Sequence, residues 1–68
     1  MRYQLYNEYQ DENAKPLPGE LFDFLEDAVD RAKELSKNAI CYGMIHIADL
    51  ELKKFVNSAA AGTGRITR

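Results

Sequence analysis

The sequence is poor in the residues that small proteins use to reinforce a fold. Its 68 residues include one cysteine, one histidine and no tryptophan. A single cysteine cannot form an internal disulfide, and one cysteine with one histidine falls short of the ligands that a zinc site needs. A chain this short has a thin stability margin, which disulfides, metals or self-association usually supplement. We therefore expect no cofactor and no metal, and self-association is the route that remains.

Long apolar runs are also missing. The first ten residues, MRYQLYNEYQ, are polar and alternating, and they lack the apolar stretch of a secretory signal. No run elsewhere is long enough to cross a membrane. A lone cysteine is typical of a reducing compartment. The sequence thus predicts a cytoplasmic protein that does not act on a membrane.

Positive charge is scarce over most of the chain. Residues 1–58 hold seven Lys or Arg and eleven Asp or Glu, a net charge of −4, whereas residues 59–68 hold two arginines and no acid. An acidic body does not attract a polyanion from a distance. Nucleic acid is therefore the weaker of the partner hypotheses, and it rests on Lys53, Lys54 and the arginine-bearing tail.

Residue periodicity predicts several strands. Alternation over residues 2–9 and 39–49 indicates two long strands, and residues 53–58 indicate a third that returns after a turn at 50–52. Two prolines and a glycine favour a loop over residues 10–19, after which residues 20–22 fit a short returning strand.

A helix is predicted between these strands. Asp23 followed by Glu26 is typical of a capping box, Asp27 and Arg31 have the spacing of an ion pair, and Asn38 is a plausible end. Apolar residues recur at the spacing of one helical stripe: Leu25, Ala28, Val29, Ala32 and Leu35.

The order of these elements predicts an α+β fold. We expect an antiparallel sheet of three or four strands, in the order strand, loop, optional strand, helix, strand, strand, with the helix packed on one face. Residues 1–58 form a single domain, and residues 59–68, which lack apolar periodicity, form a flexible tail. This layout resembles that of many short prokaryotic or phage proteins.

Alternation also assigns side chains to the two faces of the sheet. Cys41, Gly43, Ile45 and Ile47 are expected beneath the helix with Tyr3 and Leu5, and Gly43 would leave room for the helix. The other face, left open, would carry an unusual set for a solvated surface: Tyr42, Met44, His46, Tyr6 and Arg2, joined by Phe55 or Val56.

Catalytic constellations are not apparent. Cys41 and His46 are five residues apart on a predicted strand, so their side chains would lie on opposite faces. Neither Ser36 nor Ser58 has a reason in the sequence to meet His46. The sequence therefore predicts no catalytic residue and a protein that is not an enzyme.

The first functional hypothesis is a small non-enzymatic binding or regulatory module, homodimeric through the open sheet face. Tyr6, Tyr42, Met44 and His46 would anchor the contact and Arg2 would lie at its rim, since such residue types are enriched at interfaces. A phage- or plasmid-type inhibitor is one form of this hypothesis. The alternatives are a nucleic-acid-associated accessory protein, and a face covered by the loop or the tail of the same chain.

Overall fold

The structure is a computed structural model that describes residues 1–9 and 13–67. It contains five strands, β1 (Tyr3–Glu8), β2 (Lys15–Phe22), β3 (Met44–Asp49), β4 (Lys54–Ala59) and β5 (Ile66–Thr67), and one helix, α1 (Leu25–Ser36). The strands form one antiparallel sheet in the order β2-β1-β3-β4-β5. The predicted α+β fold is confirmed, with five strands instead of three or four.

The hydrophobic core lies between α1 and one face of the sheet. It consists of the middle of the helical stripe and of alternate strand residues: Leu5, Ala28, Ala32, Leu35, Ile45, Ile47 and Ala59. The two alanines let the helix approach the sheet closely. Burial of each large aliphatic side chain contributes about 1.5–3 kcal/mol. The strand residues in the core are therefore those that point toward α1.

The helix begins differently from the prediction. Its N-cap is Phe24, whose backbone is extended and whose side chain makes no capping hydrogen bond, so the predicted capping box of Asp23 and Glu26 is wrong. Strand β2 continues to Phe22, and only two residues connect it to the helix. The capping position therefore falls on a phenylalanine, where a Ser, Asp or Asn would stabilise the helix by about 1 kcal/mol.

Arg31 pairs outside the predicted i,i+4 spacing. Its Nε lies 3.0 Å from the Glu20 carboxylate of β2, and its Nη1 lies 3.4 Å from Glu34. The strand brings Glu20 close to the helix, so Arg31 ties the two elements together instead of pairing with Asp27. The helix ends near the predicted position, since Lys37 is the C-cap and the Asn38 amide donates to the Leu35 carbonyl.

Strand β2 extends into the segment predicted as a loop. Residues 10–12 lie outside the described residues, but Lys15–Phe22 pairs with β1, so the prediction of a loop is wrong from Lys15 onward. Pro16 and Pro18 are compatible with this strand because β2 is at the edge of the sheet, where an amide can be missing without breaking a second ladder. The expected strand at 20–22 is its final part.

Strand β3 is shorter than predicted, because residues 39–42 form a turn. The amides of Cys41 and Tyr42 both donate to the Asn38 carbonyl. The turn interrupts the alternation, so Cys41 is exposed and Tyr42 packs against the core. The predictions that Cys41 lies beneath the helix and that Tyr42 lies on the open face are therefore wrong.

Gly43 makes room for β1 and not for the helix. It is buried, and its amide donates to Asn7 Oδ1 at 2.9 Å. A Cβ at this position would collide with the Glu8 carbonyl and lie 2.8 Å from Tyr9 Cα. The approach of two backbones therefore requires glycine here.

Residues 59–67 return to the sheet. Ala59 is buried at the end of β4, and Ile66 of β5 pairs with it. The Gly62 amide donates to the Ser36 carbonyl at 2.6 Å, which caps the helix, and a Cβ on Gly64 would lie 2.9 Å from the Lys33 carbonyl. The expected mobility of residues 59–68 stays a prediction, but the structure places 59–67 against β4 and the end of α1.

We predict that Gly43→Ala lowers the free energy of unfolding by about 1–3 kcal/mol, because the new methyl group displaces the backbone of β1. Urea unfolding followed by circular dichroism measures the change. Ile40→Ala, at a side chain that is 87% exposed in the preceding turn, serves as the control and should have little effect. A Gly43→Ala protein as stable as this control would contradict the close approach.

Candidate functional site

The sheet face opposite α1, here called the open face, carries polar and aromatic side chains. Strand register places Tyr6 opposite His46, His46 opposite Ser58, and Ala48 opposite Phe55. The face is lined by alternate residues of the three central strands: Gln4, Tyr6, Glu8, Met44, His46, Ala48, Phe55 and Ser58. The predicted division of side chains between the two faces is correct for β1 and, from Met44 onward, for β3.

A bulge in β4 brings Phe55 to the open face. Ile47 pairs with Asn57 and Ala48 pairs with Phe55, so Val56 is an extra residue between them. Val56 packs against the core, whereas Phe55 points to the open face. Simple alternation puts Phe55 on the same side as Asn57, and the extra residue reverses this assignment. The choice between Phe55 and Val56 that the sequence left open is thereby resolved in favour of Phe55.

Three rings form a compact cluster on the open face. The Phe55 ring stacks on the His46 ring, with centroids 4.8 Å apart and planes inclined by 11°, and it meets the Tyr6 ring edge-on at 5.3 Å. The His46 side chain is only 12% exposed beneath it, whereas Phe55 is 47% exposed. Aromatic pairs of this geometry contribute about 0.5–1.5 kcal/mol beyond their buried area. Phe55 is therefore a fixed apolar projection.

Both ring nitrogens of His46 have partners. Nε2 lies 3.1 Å from Glu8 Oε1, and Nδ1 lies 2.7 Å from Ser58 Oγ. A carboxylate only accepts hydrogen bonds, so Nε2 carries a proton, while Nδ1 and the Ser58 hydroxyl share the second hydrogen bond. The expectation that no serine meets His46 is wrong, because the register of β3 and β4 places Ser58 beside it. The two bonds fix the ring under Phe55.

Glu8, His46 and Ser58 thus link a carboxylate, an imidazole and a hydroxyl, which are also the components of an activated nucleophile. Acyl transfer requires, in addition, free donors for a developing oxyanion. Ser58 lies within β4, which is paired on both sides, with His46 of β3 and Thr67 of β5. The amides around it belong to the sheet ladders. The arrangement is therefore suited to holding the histidine ring.

A groove runs along the open face next to the turn between β3 and β4. Its volume is about 520 Å³, and it is lined by Tyr6, Ala48, Asp49, Leu50, Lys53, Lys54 and Phe55. Among the described residues, no carboxylate lies within 4.0 Å of either lysine ammonium group. Aromatic walls with two unpaired cations favour a ligand that is apolar and negatively charged.

Lys53 has an unusual backbone conformation for its residue type. Its φ is 58°, in the left-handed region, and it is the one non-glycine residue with positive φ in the described part of the chain. Glycine adopts this conformation without strain, whereas for other residue types it costs about 1 kcal/mol or more in conformational free energy. The turn is closed by the Lys53 amide, which donates to the Asp49 carbonyl at 2.7 Å.

Asp49 holds this turn in place. It is 2% exposed, and its carboxylate accepts hydrogen bonds from Arg2 at 2.9 Å and from the Glu51 and Leu52 amides at 3.0 and 3.1 Å. The hydrogen bonds from Arg2, and then those from the two amides, keep the pKa of Asp49 below 3.8 although burial acts in the opposite direction. The same pairing raises the pKa of Arg2. Arg2 therefore stabilises the turn.

The structure brings together three of the four predicted anchors. Tyr6, Met44 and His46 lie on the open face, Tyr42 packs on the helix side, and Arg2 is bound to Asp49 and Glu51. Ser58, Glu8 and Phe55 complete the site. Glu8 shares a face with Tyr6 by alternation, a signal available in the sequence, whereas Ser58 and Phe55 depend on the register of β4.

The described residues contain no group of three or more His, Cys, Asp or Glu side chains placed to hold a metal ion. The helix found in this part of the chain is too short and too polar to cross a membrane. No protein-family model matches the chain, and neither a curated protein nor a solved structure matches it. The geometry of the open face therefore has to support any functional assignment by itself.

We predict that Ser58→Ala lowers the free energy of unfolding by about 1–2 kcal/mol, because a half-buried His46 nitrogen loses its partner. Urea unfolding measures the change, and the ¹⁵N chemical shifts of the ring report its tautomer. Thr67→Ala, at an exposed neighbouring hydroxyl, is the control. Unchanged stability together with unchanged ring shifts would show that the Ser58 hydroxyl does not hold the ring.

We also predict that Asp49→Asn removes part of the acid sensitivity of the fold. The pKa of Asp49 is lower in the folded state than in the unfolded chain, so its contribution to stability is full above the unfolded pKa and declines as the pH falls below about 3.8. The variant should be less stable at pH 7 and lose less stability between pH 5 and pH 2. Urea midpoints across this range measure both effects. Parallel pH profiles for the two proteins would be inconsistent with the Arg2–Asp49 bond.

Proposed function

We propose that the chain is a small non-enzymatic binding or regulatory module that acts by protein–protein contact through the open sheet face. The observation that supports this proposal most directly is the ring cluster of Tyr6, His46 and Phe55. Phe55 remains 47% exposed, because α1 covers the opposite face of the sheet and does not reach the open face. Exposed apolar groups beside a groove are typical of interaction sites on small proteins.

The rigidity of the cluster supports a recognition role. The His46 ring is held from both nitrogens and stacks under Phe55, so little side-chain freedom remains to be lost on binding. Contacts that are already ordered in the free protein bind with a smaller entropic penalty. Tyr6 and Met44 extend the same surface with residue types that are frequent at interfaces.

A homodimer is the form of this proposal that the composition favours. The chain has no disulfide, and the described residues provide no metal site, so self-association is the remaining means of adding apolar burial to a core of seven side chains. A phage- or plasmid-type inhibitor, which docks on a larger complex, would use the same surface.

The alternative is a nucleic-acid-associated accessory protein. One observation favours it: Lys53 and Lys54 line the same groove as Tyr6 and Phe55, and aromatic rings beside cations can stack on bases and contact phosphates. The net charge of −2 opposes it. A mixed single-stranded RNA and DNA pool at about 50 mM salt, where phosphate contacts are strong, provides the test.

We predict that the protein forms dimers in sedimentation experiments over a range of concentrations, and that Phe55→Ser raises the dimer dissociation constant tenfold or more, as for a buried aromatic anchor. Ile40→Ser removes an apolar side chain that is even more exposed, at the opposite end of the sheet, and should leave the dimer unchanged.

Affinity capture from cells that express the protein tests other protein partners, with Phe55→Ser as the negative control. A protein that stays monomeric at every concentration, and whose Phe55→Ser variant captures the same proteins as the unmodified chain, would refute protein–protein contact through this face. Binding of the nucleic-acid pool that is lost in a Lys53→Ala, Lys54→Ala variant would support the alternative instead.

A further inference from the structure

The large exposed apolar side chains are concentrated at one end of the sheet. Of the eight among the described residues, Ile40 alone lies at the other end. Phe55 and six others occupy the end at which β1 and β4 begin and β2 and β3 finish, here called the apolar end: Met1, Leu21, Phe24, Leu25, Leu50 and Leu52.

Strand register explains this convergence. Tyr3 pairs with both Phe22 and Asp49, and Asp49 pairs with Lys54. The N-terminus, the connection from β2 to α1 and the turn from β3 to β4 therefore emerge at the same end. Each apolar residue is unremarkable alone, but contiguous exposed groups on a small protein mark an interaction surface.

Two local preferences are broken at the apolar end. Phe24 occupies the helix N-cap, where short polar residues are favoured, and its side chain is 69% exposed and makes no capping bond. Lys53 occupies a left-handed position, where glycine is favoured. Departures from local preference without a local gain are expected at functional positions. One of these residues is a projecting ring and the other lines the groove.

The projection and the groove are complementary in shape and charge. Phe24 is surrounded in sequence by Asp23, Glu26 and Asp27, all exposed in the first turn of the helix or just before it. The groove has walls of Tyr6 and Phe55 and two lysines without ion-pair partners among the described residues. An aromatic ring flanked by carboxylates therefore matches an aromatic groove flanked by ammonium groups.

We propose that two copies of the chain pair through the apolar end, with Phe24 of each copy in the groove of the other. This inference rests on the proposed self-association and names the surface and the anchor that mediate it. Asp23 and Asp27 of one copy lie near Lys53 and Lys54 of its partner. Of the open face, only the groove takes part in this pairing, because it reaches the apolar end at Phe55.

The position of both features at one end allows the assembly to close. A two-fold axis through the apolar end exchanges the two copies, so each Phe24 meets one groove and no projection remains free. A stable interface buries about 800 Å² on each partner. This is roughly one sixth of the 4614 Å² surface of the chain, an area that seven apolar side chains and their neighbours can cover.

Two substitutions separate the proposal from effects on folding. Phe24→Ser introduces a favoured N-cap residue, and Lys53→Gly introduces the residue that the left-handed turn prefers, so each should raise the urea midpoint of the monomer or leave it unchanged. Sedimentation should nevertheless show a dimer dissociation constant tenfold or more higher for Phe24→Ser, and a smaller increase for Lys53→Gly. Ile40→Ser, which removes an apolar side chain from the opposite end, is the matched control and should dimerise normally.

Charge reversal tests the pairing of the two surfaces. A chain with Lys53→Glu and Lys54→Glu, and a second chain with Asp23→Lys and Asp27→Lys, should each dimerise poorly because like charges meet. Mixed in equal amounts they should form a heterodimer, since the altered groove of one chain then meets the altered helix start of the other, and the two unaltered surfaces meet each other with opposite charges. Thermal melts of each chain alone establish that both remain folded.

The outcomes distinguish this inference from the proposed function. A dimer that Phe55→Ser disrupts and Phe24→Ser does not would overturn pairing through the apolar end and keep contact through the open face. Failure of the charge-reversed chains to associate, with both folded, would also overturn the pairing. A monomer at all concentrations would overturn this pairing, whereas contact of the open face with another protein would fall only if Phe55→Ser also captured the same proteins as the unmodified chain.

Discussion

The buried carboxylate of Asp49 is the interaction on which much of the geometry of the apolar end depends. It joins Arg2, at the start of β1, to the amides of Glu51 and Leu52, and so binds the first strand to the turn that follows the third. A charge this well buried is tolerable only because every lone pair has a partner. The turn that Asp49 organises presents Leu50, Leu52 and Lys53 and directs the chain into the β4 bulge that exposes Phe55. One side chain thus orients the part of the apolar end that is formed by residues 50–55.

The sheet and the helix divide the molecule into a half that holds the hydrophobic core and a half that carries the open face. On the helix side, small alanines and branched aliphatic residues satisfy ordinary packing rules. On the open face, Glu8, Ser58 and the stacked Phe55 hold a histidine that has no access to the core. At the apolar end, Phe24 and Lys53 occupy positions where other residue types would stabilise the fold. Two residues that depart from local conformational preference therefore lie in one region, which is the distribution we expect if that surface binds a partner.

Local patterns in the sequence were sufficient to predict the helix, the two faces of β1 and β3, and the turn at residues 50–52. These features depend on residues close in the chain, where periodicity is informative. The remaining features depend on distant partners. Pro16 and Pro18 fit a strand because β2 is at the edge, and Phe55 and Ser58 reach the open face because one extra residue, Val56, shifts the register. Tyr42 left the predicted face because Asn38 closes a turn before β3. The concentration of exposed apolar groups arises because the N-terminus and two chain connections lie at the same end of the sheet, which no local sequence pattern reveals.

The two edge strands of the sheet, unlike the apolar end, offer little to another chain. The outer strand β2 carries Pro16 and Pro18, which supply no amide for an incoming strand, and β5 on the other side is two residues long. Neither edge is a good template for the lateral growth of a β-sheet, which is the usual route from a small sheet protein to amyloid-like fibres. Lateral strand addition is therefore disfavoured at both edges, and the pairing proposed through the apolar end would close with two copies instead of growing into a ribbon.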